Sequence, residues 1–241
     1  SDKFYYINKQ LEQLQEKEKA VLQKKLDAID FSVLKEIERR ATVTERGVFA
    51  PLEAVEVDEI EKRADEFKEI GLKTLRDGKV GLVLLAGGQG TRLVFDQPKG
   101  TVNIGLTKEI YIFECLMNNL MQVVKEVGVF IPLSIMTSIS NKKETVDFFE
   151  DHQYFGYDKS YIKFFIQEMV PTVDFEGRVL MASNTELAMA PNGNGGWFSS
   201  MVLDGMLEDV HKRGIEWINV FAVDNVLQKM ADPMFIGATI A

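Results

Sequence analysis

Val80-Gly81-Leu82-Val83-Leu84-Leu85-Ala86-Gly87-Gly88-Gln89-Gly90-Thr91-Arg92 is the stretch that decides the fold, and Pro98-Lys99-Gly100 follows it closely. Its first six residues form an unbroken apolar run, preceded by Lys79 and followed by glycines. That pattern suits a central strand buried on both faces of a parallel sheet. The glycine loop therefore leaves the carboxyl end of a strand, the edge where open α/β sheets bind ligands. Gly87, Gly88 and Gly90 let the main chain approach an anion and turn N–H groups toward it, while Arg92 and Lys99 supply full positive charge. A phosphate chain is the expected guest. Two better-known phosphate loops do not fit. A P-loop needs lysine directly after its second glycine, but here Lys99 precedes Gly100-Thr101. The dinucleotide fingerprint needs a third glycine where Leu93 stands.

Working outward, strands and helices alternate. Strands are predicted at Val80 to Leu85, Ile131 to Thr137, Tyr161 to Ile166 and Ile215 to Val223, with helices at Ile110 to Lys125, Lys142 to Asp151 and Phe198 to Arg213. A short strand pair is expected around Val173 to Met181. This alternation implies βαβ units, hence an α/β fold with a doubly wound, mostly parallel sheet. Residues 8 to 77 read as helices, with Leu11, Leu14, Val21, Leu22, Leu26 and Ile29 on one side. Thr42 to Leu52 reads as a loop. Asp58 with Glu61 resembles a capping pair for a helix that buries Ile60, Ala64 and Phe67 and closes at Asp77-Gly78. The expected division is an N-terminal helical region, 1–77, and a nucleotide-binding α/β domain, 78–241.

Composition narrows the function classes. A net charge of −9 opposes general attraction to nucleic acid, although local cations can still bind one phosphate group. No apolar run approaches the roughly 18 residues of a membrane span. The single cysteine, Cys115, cannot form an internal disulfide and sits among Ile112, Leu116, Leu120 and Val123 at helical spacing, as a core residue. The start shows no basic region followed by an apolar stretch, so a cytoplasmic location is the default expectation. His152 and His211 lie far apart with no ligand-spaced partners, which argues against zinc, and no Ser-His-Asp elbow is present.

The glycine loop with Pro98-Lys99-Gly100 resembles the signature of sugar-nucleotide pyrophosphorylases. Three further motifs extend the likeness: Phe164-Phe165-Ile166-Gln167, then Ala190-Pro191-Asn192-Gly193-Asn194-Gly195-Gly196, then Val223-Asp224-Asn225-Val226-Leu227 with Ala231-Asp232-Pro233. In this order they resemble the eukaryotic-type UDP-N-acetylglucosamine pyrophosphorylase family, with UDP-sugar pyrophosphorylases as close relatives. The chain departs from that pattern at Val94, where the family usually has glycine, and at Asp96, which adds negative charge. The resemblance implies a nucleotide-diphosphosugar transferase fold and the joining of UTP to N-acetylglucosamine-1-phosphate, with glucose- or galactose-1-phosphate as alternative sugars. A non-catalytic nucleotide-binding module is the competing reading. In the resembled family the domain continues beyond this point, so the chain reads as truncated by that comparison. The oligomeric state is not legible.

Individual residues take roles on this basis. Arg92 and Lys99 would offset charge on the phosphates during transfer. The backbone of Gly87, Gly88 and Gly90, with Thr91, would face the triphosphate or the base, and Leu85 and Ala86 would flank the base. Gln167 offers a donor and an acceptor to the mixed edge of uracil, or is an ordinary strand-end glutamine. The resemblance places nucleotide contacts on Gly193 and sugar contacts on Asn194 and Gly195. Asp224 emerges at a strand end, where a hard oxygen can hold Mg²⁺ (or Mn²⁺); alternatively it caps the helix after it.

Overall fold

The computed structural model describes residues 2–35, 47–88 and 97–241. Contacts divide the chain into two compact units: Ser1–Leu52 with Glu168–Asn192, and Glu53–Gln167 with Gly193–Ala241. The larger unit is built on four strands, β1 (Val80–Leu85), β2 (Leu133–Thr137), β3 (Ile162–Ile166) and β8 (Trp217–Ala222). They form one sheet in the order β3-β2-β1-β8, every pair parallel. β1 sits between two neighbours and its first five residues are buried, which accounts for its unbroken apolar sequence.

The side-chain period of two divides that apolar run between two cores. Leu82 and Leu84 join Leu133 and Ile135 on one face, beneath the Ile112–Val127 helix, whose Phe113, Leu116, Met117 and Leu120 are fully buried. Val83 joins Met136 and Phe165 on the other, with Met201 and Met206 from the following helical segment. The sheet is therefore doubly wound, and truncating Leu82 or Leu84 of the first core to alanine is expected to cost about 2–5 kcal/mol.

Several boundaries move for identifiable reasons. The helix expected from Ile110 starts at Ile112, because Ile104 N–H bonds to Ile110 O and Ile112 N–H to Val102 O, holding the approach as a hairpin-like loop. It runs on to Val127 and stops where Gly128 turns left-handed. The helix expected over Phe198 to Arg213 is two, Trp197–Leu203 and Leu207–Lys212, broken where Gly205 adopts a φ of +70°. Lys142–Asp151 agrees with its expected bounds.

The helices Val57–Lys62 and Ala64–Arg76 belong to this unit too, so the contact division does not fall at residue 77. Ala64–Arg76 buries Phe67 and Leu75 and packs along Pro233–Ile240. The Asp58–Glu61 capping pair is not formed: the first helix begins at Val57 behind Glu56, with no side-chain cap, and Asp58 instead lies in the first turn, where its charge suits the helix dipole.

The smaller unit contains helices Tyr5–Gln13 and Glu16–Asp27 and two antiparallel pairs. In the first, β4 (Met169–Pro171) pairs with β7 (Met189–Pro191); in the second, β5 (Met181–Ser183) pairs with β6 (Glu186–Leu187). Ile7, Leu14, Leu22 and Leu34 share one core with Val179 and Leu187. Val21, expected on the buried side, is 48% exposed. The strand pair expected from Val173 is a single Val173–Val179 bridge around a turn that Asp174 closes by accepting from the N–H groups of Glu176 and Arg178. Among the described residues no helix is long and apolar enough to cross a membrane.

Candidate functional site

The strands of the parallel sheet end together. Leu85 is in register with both Met136 and Ala222, and Thr137 with Ile166. Pairing continues for one residue beyond: Ala86 N–H donates to Met136 O, Gln167 N–H to Thr137 O, and Val223 N–H to Leu85 O. Ala86, Ser138, Gln167 and Asp224 are thereby delivered to one edge by four strands. Of the expected nucleotide-binding residues, Leu85, Ala86, Gly87, Gly88 and Gln167 fall at this edge.

Gln167 is only 5% exposed, and among the described residues no hydrogen bond engages its side-chain amide. Among the described residues Thr145 Oγ1 is the one enclosed side-chain polar atom without a partner, so the Gln167 amide keeps contact with solvent and is open to pairing with a ligand. Gly87 lies directly against it: a Cβ built on Gly87 would come within 2.6 Å of Gln167 Oε1. A side chain at position 87 would push the Gln167 amide out of its present place. Leu85 is half-buried, Ala86 is buried and Gly88 is exposed at the rim.

Lys99 reaches the same edge from a separate segment. Lys99–Thr101 forms a short 3-10 turn, and the Lys99 N–H donates to Gly88 O at 3.3 Å. Its ammonium forms an ion pair with the Asp224 carboxylate. The two side chains are 23% and 54% exposed, so the pair contributes little to stability and both groups stay within reach of a ligand. Gly100 lets the turn sit this close, since its Cβ would overlap the Phe113 ring. Gly100→Ala is expected to cost about 1–3 kcal/mol through overpacking. Calorimetric melting checks this; an unchanged Tm would mean that the turn carrying Lys99 shifts freely.

Asp224 does not cap the next helix. Asp232 does so, accepting from Met234 and Phe235 N–H at the start of Pro233–Ile240, while Asn225 closes a local turn onto Leu227 N–H. Among the described residues there is no group of three or more His, Cys, Asp and Glu that could hold a metal ion. One exposed carboxylate is nevertheless a donor set that Mg²⁺ accepts when phosphates and water complete its shell.

Gly193, at a φ of +78°, opens the Asn194–Gly196 turn that leads into Trp197–Leu203, a helix that packs on β3. Asn194 and Gly195 are exposed. Among the described residues no hydrogen bond joins Gly193, Asn194 or Gly195 to the Gln167–Lys99–Asp224 group. Gly90, Thr91 and Arg92 lie outside the described residues, as do Val94 and Asp96. Cys115 is half-buried on the Ile112–Val127 helix, and burial pushes its thiol pKa up, away from the reactive thiolate. Asn141 carries no motif in the sequence, yet its side chain bonds to Ser138, Ala86 and Gly88. Its spacing of three after Ser138, just past a strand, is the only local signal for such a turn.

Comparison with known proteins gives consistent results. The family model described as UTP–glucose-1-phosphate uridylyltransferase matches residues 13–241. The UDP-N-acetylglucosamine pyrophosphorylase of Saccharomyces cerevisiae is 40% identical over 183 residues, 74% of this chain and 38% of that protein. UDP-N-acetylglucosamine diphosphorylase 2 of Arabidopsis thaliana is 34% identical over 244 residues, 94% of this chain and 49% of that protein. Among solved structures, the uridine diphosphate N-acetylglucosamine pyrophosphorylase of Trypanosoma brucei, in complex with an inhibitor, superposes with a TM-score of 0.78 at 29% identity, covering 98% of this chain and 51% of that one. The UDP-glucose pyrophosphorylase of Leishmania major, at 16% identity and a TM-score of 0.60, shares the fold, covering 94% of this chain and 48% of that one. The chain thus spans about half or less of the length of these proteins.

Proposed function

The chain belongs to the UTP–glucose-1-phosphate uridylyltransferase family, and from that premise we propose that it carries the uridine-nucleotide side of a uridylyltransferase making UDP-N-acetylglucosamine. The observation that carries the reading is Gln167 itself, a largely buried residue at the strand edge beside Gly87 whose amide makes no hydrogen bond among the described residues. Its adjacent donor and acceptor match the mixed edge of uracil, and the absence of a side chain at Gly87 lets that amide sit against the main chain of the loop. Lys99 and Asp224 lie at the same edge, where a triphosphate extending from that base would pass.

In the reaction an oxygen of N-acetylglucosamine-1-phosphate attacks the α-phosphorus of UTP in line. The bond from that phosphorus to the β-phosphate bridging oxygen breaks, and pyrophosphate leaves. Positioning and charge are most of what the protein must supply. Lys99 leaves Asp224 and turns its ammonium to the phosphate oxygens. Asp224 would hold Mg²⁺, which neutralises phosphate charge when bound. Gly193, Asn194 and Gly195 are assigned to ribose and sugar contacts by their family motif alone.

Binding and pyrophosphate release, measured with UTP and three sugar-1-phosphates, test this reading. N-acetylglucosamine-1-phosphate is expected to be the preferred acceptor, on the names of the relatives at 34% and 40% identity. The family model's description favours glucose-1-phosphate as the second reading, and the same assay separates the two. UTP binding with no turnover on any sugar would leave a nucleotide-binding module. Gln167→Ala is expected to weaken UTP about ten-fold, the equivalent of one well-made hydrogen bond. Unchanged affinity in a folded variant would remove Gln167 from the base site.

A further inference from the structure

Asn141 is completely buried, and among the described residues its side-chain hydrogen bonds go to main chain at the functional edge. Its Oδ1 accepts from Ser138 N–H at 2.8 Å. Its Nδ2 donates to Ala86 O at 3.2 Å and to Gly88 O at 3.5 Å. The partners themselves fix the orientation of the amide, since two carbonyls require donors and one N–H requires an acceptor. Gly88 O is also the acceptor for Lys99 N–H. One side chain thus ties the residues on either side of Gly87 to the end of β2 and meets the carbonyl from which the Lys99 backbone hangs.

We propose that Asn141 is a positioning residue: it sets the Ala86–Gly88 path, and through it both the approach of Gly87 to the Gln167 amide and the seat of Lys99. It governs base selectivity without touching the substrate. The inference rests on the uridine-nucleotide reading given above. Asn141→Asp keeps the shape and the acceptor for Ser138 but turns an acceptor toward two carbonyls, which are then repelled, Ala86 O losing this donor and Gly88 O keeping only Lys99 N–H. Asn141→Ser retains one donor. Thr145 supplies the control. It lies one turn further along Lys142–Asp151, is equally buried, and its hydroxyl has no hydrogen-bond partner among the described residues.

The experiment measures affinity for UTP and for CTP, each with Mg²⁺, by titration calorimetry on the parent chain and on the folded variants. The parent is expected to prefer UTP. Asn141→Asp is expected to weaken UTP at least ten-fold and to narrow the UTP-to-CTP ratio by a similar factor. Asn141→Ser should fall between, and Thr145→Val should leave the ratio unchanged. A folded Asn141→Asp with the parental ratio overturns the proposal, as does equal narrowing by Thr145→Val. A parent that binds no UTP removes the uridine-nucleotide reading itself, and the inference with it. Should the Asn141 variants fail to fold, hydrogen exchange in the parent decides: the Lys99 amide is expected to be protected, and exchange at the rate of an unstructured peptide overturns the proposal.

Discussion

Lys99→Ala is expected to lower turnover by roughly two to three orders of magnitude, comparable to removing one preorganised electrostatic donor, with UTP affinity staying within a few-fold. The asymmetry follows from where the charge acts. Negative charge on the β-phosphate grows as its bond to the α-phosphorus breaks, so an ammonium there favours the transition state over the bound substrate. Lys99 is suited to the role because its backbone is fixed to Gly88 O while its side chain, among the described residues, is held by a partly exposed ion pair. Lys99→Arg keeps the charge but not the compact ammonium, and should recover part of the rate. A pyrophosphate-release assay with separate determination of kcat and KM checks both variants. Folded Lys99→Ala with parental kcat would assign the ion pair a purely structural role.

Asp224→Asn is expected to produce a loss of at least a hundred-fold at saturating sugar phosphate, with the Mg²⁺ concentration needed for half-maximal rate raised by a similar factor. In the proposed site a single carboxylate would provide the protein's share of the metal shell, and an amide oxygen would be a poor substitute for it. Lys99→Ala serves as the comparison, since it frees the carboxylate from its partner and leaves the metal requirement in place. Titrating Mg²⁺ against rate distinguishes the two substitutions. A parental Mg²⁺ response in Asp224→Asn would mean that Asp224 only steadies Lys99.

Local pattern made much of this legible. β1 could be read with its bounds because a strand buried on both faces has no polar alternation to blur it, and the Lys142–Asp151 helix because its apolar spacing is regular. Lys99 and Asp224 could each be assigned to the same strand edge from sequence, since both follow or face the ends of predicted strands. Features that depend on distant partners were not legible. Nothing local in Ile7, Leu14 or Leu22 indicates that their core includes Val179 and Leu187, more than 150 residues away. The break at Gly205 was hidden because apolar residues continue on both sides of it. Asn141 was invisible for a related reason: its value lies in two carbonyls more than 50 positions upstream.

The register of β1 has a consequence for how the chain tolerates changes in length. Each of its residues faces one of two differently composed cores, so one inserted or deleted residue between Val80 and Gly88 would exchange the faces of everything after it. It would also carry Gly87 about 3.3 Å along the sheet, away from Gln167. Chain length in this stretch is consequently as constrained as composition. The turn around Phe175, whose ring is fully exposed, can accept extra residues at little cost.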